Sequence, residues 1–437
     1  MNMKKVTMLA GLALMSTQTY AANWLALQGT EKPNAAPRAK VWGFIQPEYQ
    51  RTDGTKIPAG GFSGQNMSPN MIKPDNKSNE TFNIRRARIG VRGTGFPLDD
   101  KVNYFFLAEF GNNGVTKLGK TGVAATDASI TLNHIPGARI RVGLFKTPTA
   151  EEGLQAIHVF NYVNFTNVTN QMLLERFTDG DGSSTGVNGI TQSVGAFRDQ
   201  GIQVFDTFKV NKWEHSYALM YGNGNGINFG DNDNNKDTYV YWSSELVFGG
   251  KGGRRQGLKM FAWNQDGTRT LSGANNSGGA GEYDRTRSGL GVTFSKGKYR
   301  AAAEYITADG MIFNGSDGAA VPGSRNNADT ANASVNVLTD NEADGYYVDF
   351  GYKVLPKLEL DLRYDVLNRG TDGAATIERT FDTVTVGAQY FFNKKSRITF
   401  NYEIRNQDAP GFSDTAPPNQ IADALDDRLS LQLLAIF

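Results

Sequence analysis

Arginines in two short segments carry the clearest chemistry in this chain. Residues 82–93 read F-N-I-R-R-A-R-I-G-V-R-G and residues 138–145 read A-R-I-R-V-G-L-F. Successive side chains of a β-strand point to opposite faces. Arg86, Arg88 and Arg92 therefore share one face of the first segment, and Arg139 and Arg141 share one face of the second. Lys146 follows directly. A guanidinium stays charged and presents a planar fork that matches phosphate or carboxylate oxygens. Two roles are open to such clusters. They can form a wall that attracts anions, or they can pair with Glu48, Glu109 and loop acids and brace the fold.

The stretch 146–197 carries the opposite balance: Glu151, Glu152, Glu175, Asp179 and Asp181 outnumber Lys146 and Arg176. An acidic segment set against a basic wall produces a transverse field. Such a field orients polar solutes and rejects apolar ones without holding one anion strongly. Phe160, Tyr162 and Phe165 crowd the same stretch. They either pack it against a wall or line an apolar track for ring-shaped solutes.

Other motifs lead elsewhere only on paper. Residues 114–121, G-V-T-K-L-G-K-T, match the P-loop pattern. That site needs a buried parallel strand before it and a helix after it, and the flanking sequence offers neither. Asp231, Asp233, Asn235 and Asp237 have the spacing of a calcium loop. Lys236 stands where the turn glycine belongs, and Trp242 where the bidentate glutamate belongs. The three histidines, His134, His158 and His215, fall on a turn, a loop and an outward strand face. They form no hydrolytic site, so neither an enzyme, nor a metal centre, nor a cofactor is expected.

Sixteen segments of alternating polarity can hold these residues: 40–50, 82–93, 101–110, 127–133, 138–145, 200–208, 213–222, 238–248, 255–263, 287–294, 299–306, 345–354, 358–368, 381–392, 397–405 and 428–437. Each is about as long as a tilted strand needs to cross a bilayer. The connections between them alternate short and long, which a soluble sandwich or propeller has no reason to do. Along 358–366 the odd parity holds Glu359, Asp361, Arg363 and Asp365 between Leu358, Leu360, Leu362, Tyr364 and Val366. Charges that dense cannot be buried unpaired in a dry core, so the polar face must line a lumen. The last segment, R-L-S-L-Q-L-L-A-I-F, keeps one continuous apolar face and ends on Phe437. The expected fold is all-β: a transmembrane antiparallel barrel of about sixteen strands.

The remainder of the chain fits that expectation. Residues 1–21 place Lys4 and Lys5 before a short apolar run and end in T-Y-A, the layout of a secretory signal peptide. Without them the formal charge of +1 turns slightly negative, and a near-neutral chain lacks the basic field that nucleic acid would demand. Residues 22–39 are polar, with Pro33 and Pro37, and read as a periplasmic N-terminal extension. Residues 40–437 are the barrel domain. Trp42, Trp213, Trp242 and Trp263 read as an interfacial girdle. Cysteine is absent, which removes disulfides and thiolate metal sites.

The motif R-R-A-R at 85–88, V-G-L-F-K-T-P at 142–148, W-G-F-I-Q-P-E-Y at 42–49 and the terminal Phe437 together resemble the phosphate-selective porin O and P family, over nearly the whole mature chain. The resemblance implies a trimeric sixteen-stranded porin of the Gram-negative outer membrane, with a third loop folded inward to narrow the pore. Here that loop is 146–197, with Glu151, Glu152, Glu175 and Arg176 at the constriction and Arg86, Arg88, Arg92, Arg139, Arg141 and Lys146 as the anion-binding side. It also implies outer-membrane lipids and lipopolysaccharide as surroundings, and a barrel-assembly machinery that reads Phe437. The expected activity is passive diffusion of small polar or anionic solutes, phosphate among them. The rival expectation is a structural or adhesion barrel plugged by its loops.

Overall fold

Sixteen strands close into one antiparallel barrel in the computed structural model. The structure describes residues 23–27, 38–53, 58, 80–95, 99–117, 122–174, 195–227, 231, 233–250, 255–272, 278–313, 337–424 and 426–437. The expected signal segment, 1–21, lies outside them.

The strands are β1 (Lys40–Thr52), β2 (Glu80–Thr94), β3 (Val102–Glu109), β4 (Ala124–Ile135), β5 (Ala138–Lys146), β6 (Arg198–Val210), β7 (Trp213–Gly222), β8 (Asp237–Gly249), β9 (Gln256–Ser272), β10 (Ala280–Lys296) and β11 (Tyr299–Asp309). After a two-stranded ribbon, β12 (Ile312–Phe313) and β13 (Val337–Leu338), come β14 (Glu342–Leu355), β15 (Leu358–Arg369), β16 (Arg379–Asn393), β17 (Ser396–Asp408) and β18 (Arg428–Ile436). Each barrel strand pairs with its neighbour in sequence, β11 pairs with β14 across the ribbon, and β1 pairs with β18 to close the ring. Closure removes every free strand edge, which a bilayer would leave without hydrogen-bond partners.

Two environments separate the faces. On β15, Leu360, Leu362 and Tyr364 are exposed on the outer wall, while Glu359, Asp361, Arg363 and Asp365 are buried inside. On β18, Leu431 and Leu433 face out while Arg428, Ser430 and Gln432 face in. The seam is sealed at its last residue. Phe437 exchanges two backbone hydrogen bonds with Gly43, and its ring fills the space that a Gly43 side chain would take.

Simple parity breaks on β2, and two tryptophans lie inside the barrel and not on its outer rim. The register between β1 and β2 shifts at Gln46/Pro47, where Arg86 pairs Gln46 and Ile84 pairs Pro47. Proline has no N–H to give to the ladder, and the extra residue opposite it, Arg85, turns inward beside Arg86. Trp263 sits mid-strand on the longer β9, is buried on the lumen side and donates to Glu304. Trp42 stacks on Phe44 and Phe105, whose rings are buried on the lumen side. Neither belongs to an outer girdle; Trp242 does, at 46% exposure.

Part of the expected N-terminal extension, 23–27, is described. Asn23 and the helical turn α1 (Trp24–Leu27) lie against lumen-facing side chains of β5 and β7. W-L-A-L is an apolar run, and leaving Trp24 and Leu25 in water would cost more than seating them among the barrel's inner aromatics.

Candidate functional site

The basic wall is built by β1, β2, β5 and β6. Arg85 Nη1 donates to the Val163 carbonyl at 2.8 Å and Asn164 Oδ1 at 3.1 Å, and pairs with Glu48 Oε2 at 3.4 Å. Arg88 Nε meets Glu109 Oε2 at 2.8 Å, while the other Glu109 oxygen accepts from the Ala87 and Gly111 amides. Arg139 pairs with Asp206 at 3.1 Å, and Arg198 with Asp127 at 3.0 Å. These four arginines brace the wall. Arg141 lies 4.4 Å over the Phe205 ring and donates to Thr131, Gln203 and the Leu25 carbonyl. Arg92 lies 5.8 Å over Phe105.

Arg86 differs from its neighbours. It is 2% exposed, its Nη1 donates to Gln46 Oε1 at 3.1 Å, and among the described residues it has no carboxylate partner. Arg85 and Arg88 flank it on the same face, so among the described residues this point of the wall carries more positive charge than its acids neutralise.

The third loop is sewn to both sides of the lumen. Lys146 is no free anion ligand: its ammonium donates to the carbonyls of Gly153 at 2.8 Å, Leu154 and Gln155, closing the C-terminal end of the helical turn α2 (Glu151–Leu154). Lysine suits the C-terminus of a helical turn, where carbonyls lack partners. The two acids of that turn point apart. Glu151 meets Lys259 Nζ on β9 at 2.5 Å and accepts from Trp24 Nε1 at 2.9 Å. Glu152 meets Arg363 on β15 at 3.1 Å and accepts from Thr166. Neither faces the β2–β5 arginines directly. Glu175, Arg176, Asp179 and Asp181 lie outside the described residues.

Further along, Val163 N donates to Asn401, Asn164 bonds Glu403 and Ser430, and Asn167 bonds Asp365. Arg397 holds the Phe160 carbonyl. Tyr162 lies under the Arg363 guanidinium at 4.2 Å, and burial pushes its phenol well above the ordinary value. Phe160, Phe165 and Phe197 pack ring on ring at 5.0–5.2 Å and are buried. These rings pack the loop; they do not line an open track. Sequence reasoning missed Arg85, Arg198, Lys259, Glu304 and Asn164. Pro47 inside a strand was the one available signal for Arg85.

The other motifs resolve into local pairs. Lys236 bonds Asp231 at 2.9 Å, and Arg269 holds Asp237 at 2.6 Å, so two of the three calcium-like acids already have cations, while Asp233 accepts from the Asn235 amide. The three histidines sit apart: His134 on Asp99, His158 against Trp42 and Phe44, His215 against Phe208 and Trp242. Of the P-loop pattern, 118–121 lie outside the described residues.

The model of the phosphate-selective porin O and P family matches residues 65–411. The chain belongs to that family. Among curated proteins none matches it. Among solved structures, this porin is similar to OmpF of Salmonella typhi in complex with daunomycin (14% identity, TM-score 0.54, 91% of this chain and 97% of that one). It is similar to the outer-membrane channel DcaP of Acinetobacter baumannii (15%, 0.53, 94% and 100%). It is also similar to an anion-selective porin from Comamonas acidovorans (12%, 0.52, 91% and 99%). At such identities the likeness is one of fold. Family and fold together make this chain an outer-membrane porin.

Proposed function

We propose that this porin passes small polar and anionic solutes, phosphate among them, through a lumen narrowed by its third loop, with weak anion preference. One observation carries the reading: the arginine cluster of β2, where Arg86 has no acid partner among the described residues while Arg85 and Arg88 stand beside it. A guanidinium without a carboxylate in a wall of low dielectric attracts a passing anion more strongly than it would in bulk water. Of the loop acids, Glu151 and Glu152 are spent on Lys259 and Arg363, so these two do not cancel that charge. Assembly as a homotrimer, export by residues 1–21 and recognition of Phe437 by the assembly machinery belong to the same reading.

The test is a reversal potential in a KCl gradient across a planar bilayer, followed by phosphate titration. Reversing Arg139 and Arg141 together (R139E, R141E) should move selectivity toward cations. Unchanged selectivity would count against the arginine wall. A second reading has its own support: the apolar cluster runs from Phe205 and Tyr241 through the third loop to Leu367 and Phe381, across the lumen. A plugged structural barrel would show no current at all.

A further inference from the structure

The third loop is not the only segment inside the barrel. Trp24 and Leu25 are 6% and 2% exposed. They share an apolar cluster with Leu154 and Phe160 of the third loop and with Phe205 and Tyr241 of the wall. Four polar contacts key the segment in place, one of them from Asn23 Nδ2 to Glu214 Oε1 at 3.3 Å. Asn23 Nδ2 donates to Ser216 Oγ on β7 at 2.6 Å. Arg141 Nη2 donates to the Leu25 carbonyl at 3.2 Å. Trp24 Nε1 donates to Glu151 Oε1 at 2.9 Å. The adjacent residues Leu25 and Trp24 therefore touch a cation of the basic wall, through the Leu25 carbonyl, and an acid of the third loop, through the Trp24 indole, so the segment bridges the two.

We propose that residues 23–27 are an internal plug that closes the gap between the basic wall and the third loop, and that the pore conducts fully when they leave it. The proposal rests on the channel reading above. A single helical turn has no stability of its own in water, so the position of α1 depends on its contacts with the wall and the third loop. The third loop, by contrast, is held from both sides by buried charge pairs: Glu151 to Lys259 and Glu152 to Arg363. Of the two occupants, α1 is the one with less to break on leaving. The groups that it occupies, Arg141 and Glu151, are those that a solute crossing between wall and loop would meet.

Single-channel conductance in planar bilayers tests this, comparing the full chain with a variant whose residues 23–27 are replaced by a Gly-Ser stretch of equal length. The variant should conduct at least twofold more. Equal conductance would overturn the plug and leave the channel reading standing; no current from either protein would overturn both. A second variant guards against a barrel that fails to assemble. Asn23→Cys with Ser216→Cys, in a chain without native cysteine, ties the segment to β7. Its oxidised form should conduct less than its reduced form, and identical currents in the two states would reject the proposal.

Discussion

At the scale of single residues, the lumen is a set of charge pairs whose members come from distant parts of the chain. Glu152 and Arg363 are 211 positions apart and meet at 3.1 Å, both nearly inaccessible to solvent. A buried charge left without its partner costs about 3–5 kcal/mol. Arg363→Met should therefore lower stability by roughly that amount, read from the denaturant midpoint of the detergent-folded barrel. Adding Glu152→Gln should restore part of the loss, because it removes the orphaned carboxylate. A double variant as unstable as the sum of the singles would mean that the two side chains do not act as a pair. This pairing was only half legible. Parity placed Arg363 inside and the loop acids were plain in the sequence, but nothing local says which cation on which strand receives which acid. Arg85 was illegible for a different reason: alternation assigns it outward, and only the bulge opposite Pro47 turns it in.

At the scale of elements, strand existence was easy to read and strand length was not. A lipid-facing strand must alternate, so all sixteen segments announce themselves. The signal fades where a strand rises beyond the lipid. On β9 the outward side chains run Leu258, Met260, Ala262 and then Asn264, Asp266, Thr268, Thr270, polar on both faces. The alternating pattern ends at 263, whereas pairing with β10 continues to Ser272. The same fading hides the start of β10, where Glu282, Asp284 and Thr286 precede Leu290 and Val292. Where the apolar band ends can be measured. Leu362→Arg, on the outward face of β15, should destabilise the barrel by about 2–4 kcal/mol, whereas Asp266→Arg should cost about 1 kcal/mol or less. Equal costs at both positions would place the bilayer boundary elsewhere.

The seam between the first and last strands is a second test at this scale. A Cβ on Gly43 would lie 2.3 Å from the Phe437 ring and 2.4 Å from the Arg88 carbonyl oxygen. The ring can swing away, but the backbone of β2 cannot without breaking the ladder that holds it. Gly43→Val should therefore reduce the yield of folded barrel, seen as loss of the heat-modifiable band on gels. Removing the ring alone, by Phe437→Ala, should not rescue it. Rescue would show that the clash is with the ring and that β2 tolerates the change.

At the scale of the whole molecule, the chain is close to electrically neutral, with 45 Lys and Arg against 44 Asp and Glu. It has no global field to draw anions in, so any selectivity must come from the local excess on the β2–β5 wall. That has a consequence in salt. Screening acts over about 10 Å at 0.1 M and about 3 Å at 1 M ionic strength. A preference set by the field of Arg86 and its neighbours across an open passage should weaken steadily as KCl rises over that range, the reversal potential moving toward zero at a fixed gradient ratio. A preference set by direct contact, in which each ion touches a guanidinium, should survive 1 M salt, because the ion pair is shorter than the screening length. The third loop makes the field the stronger case. Its Val163 carbonyl and Asn164 side chain cover Arg85 itself, and Arg86 beside it is 2% exposed, so a passing anion is steered along the wall and not held on a guanidinium. Selectivity that fades toward 1 M KCl is therefore the expected outcome, and its persistence would mean that ions touch the wall directly.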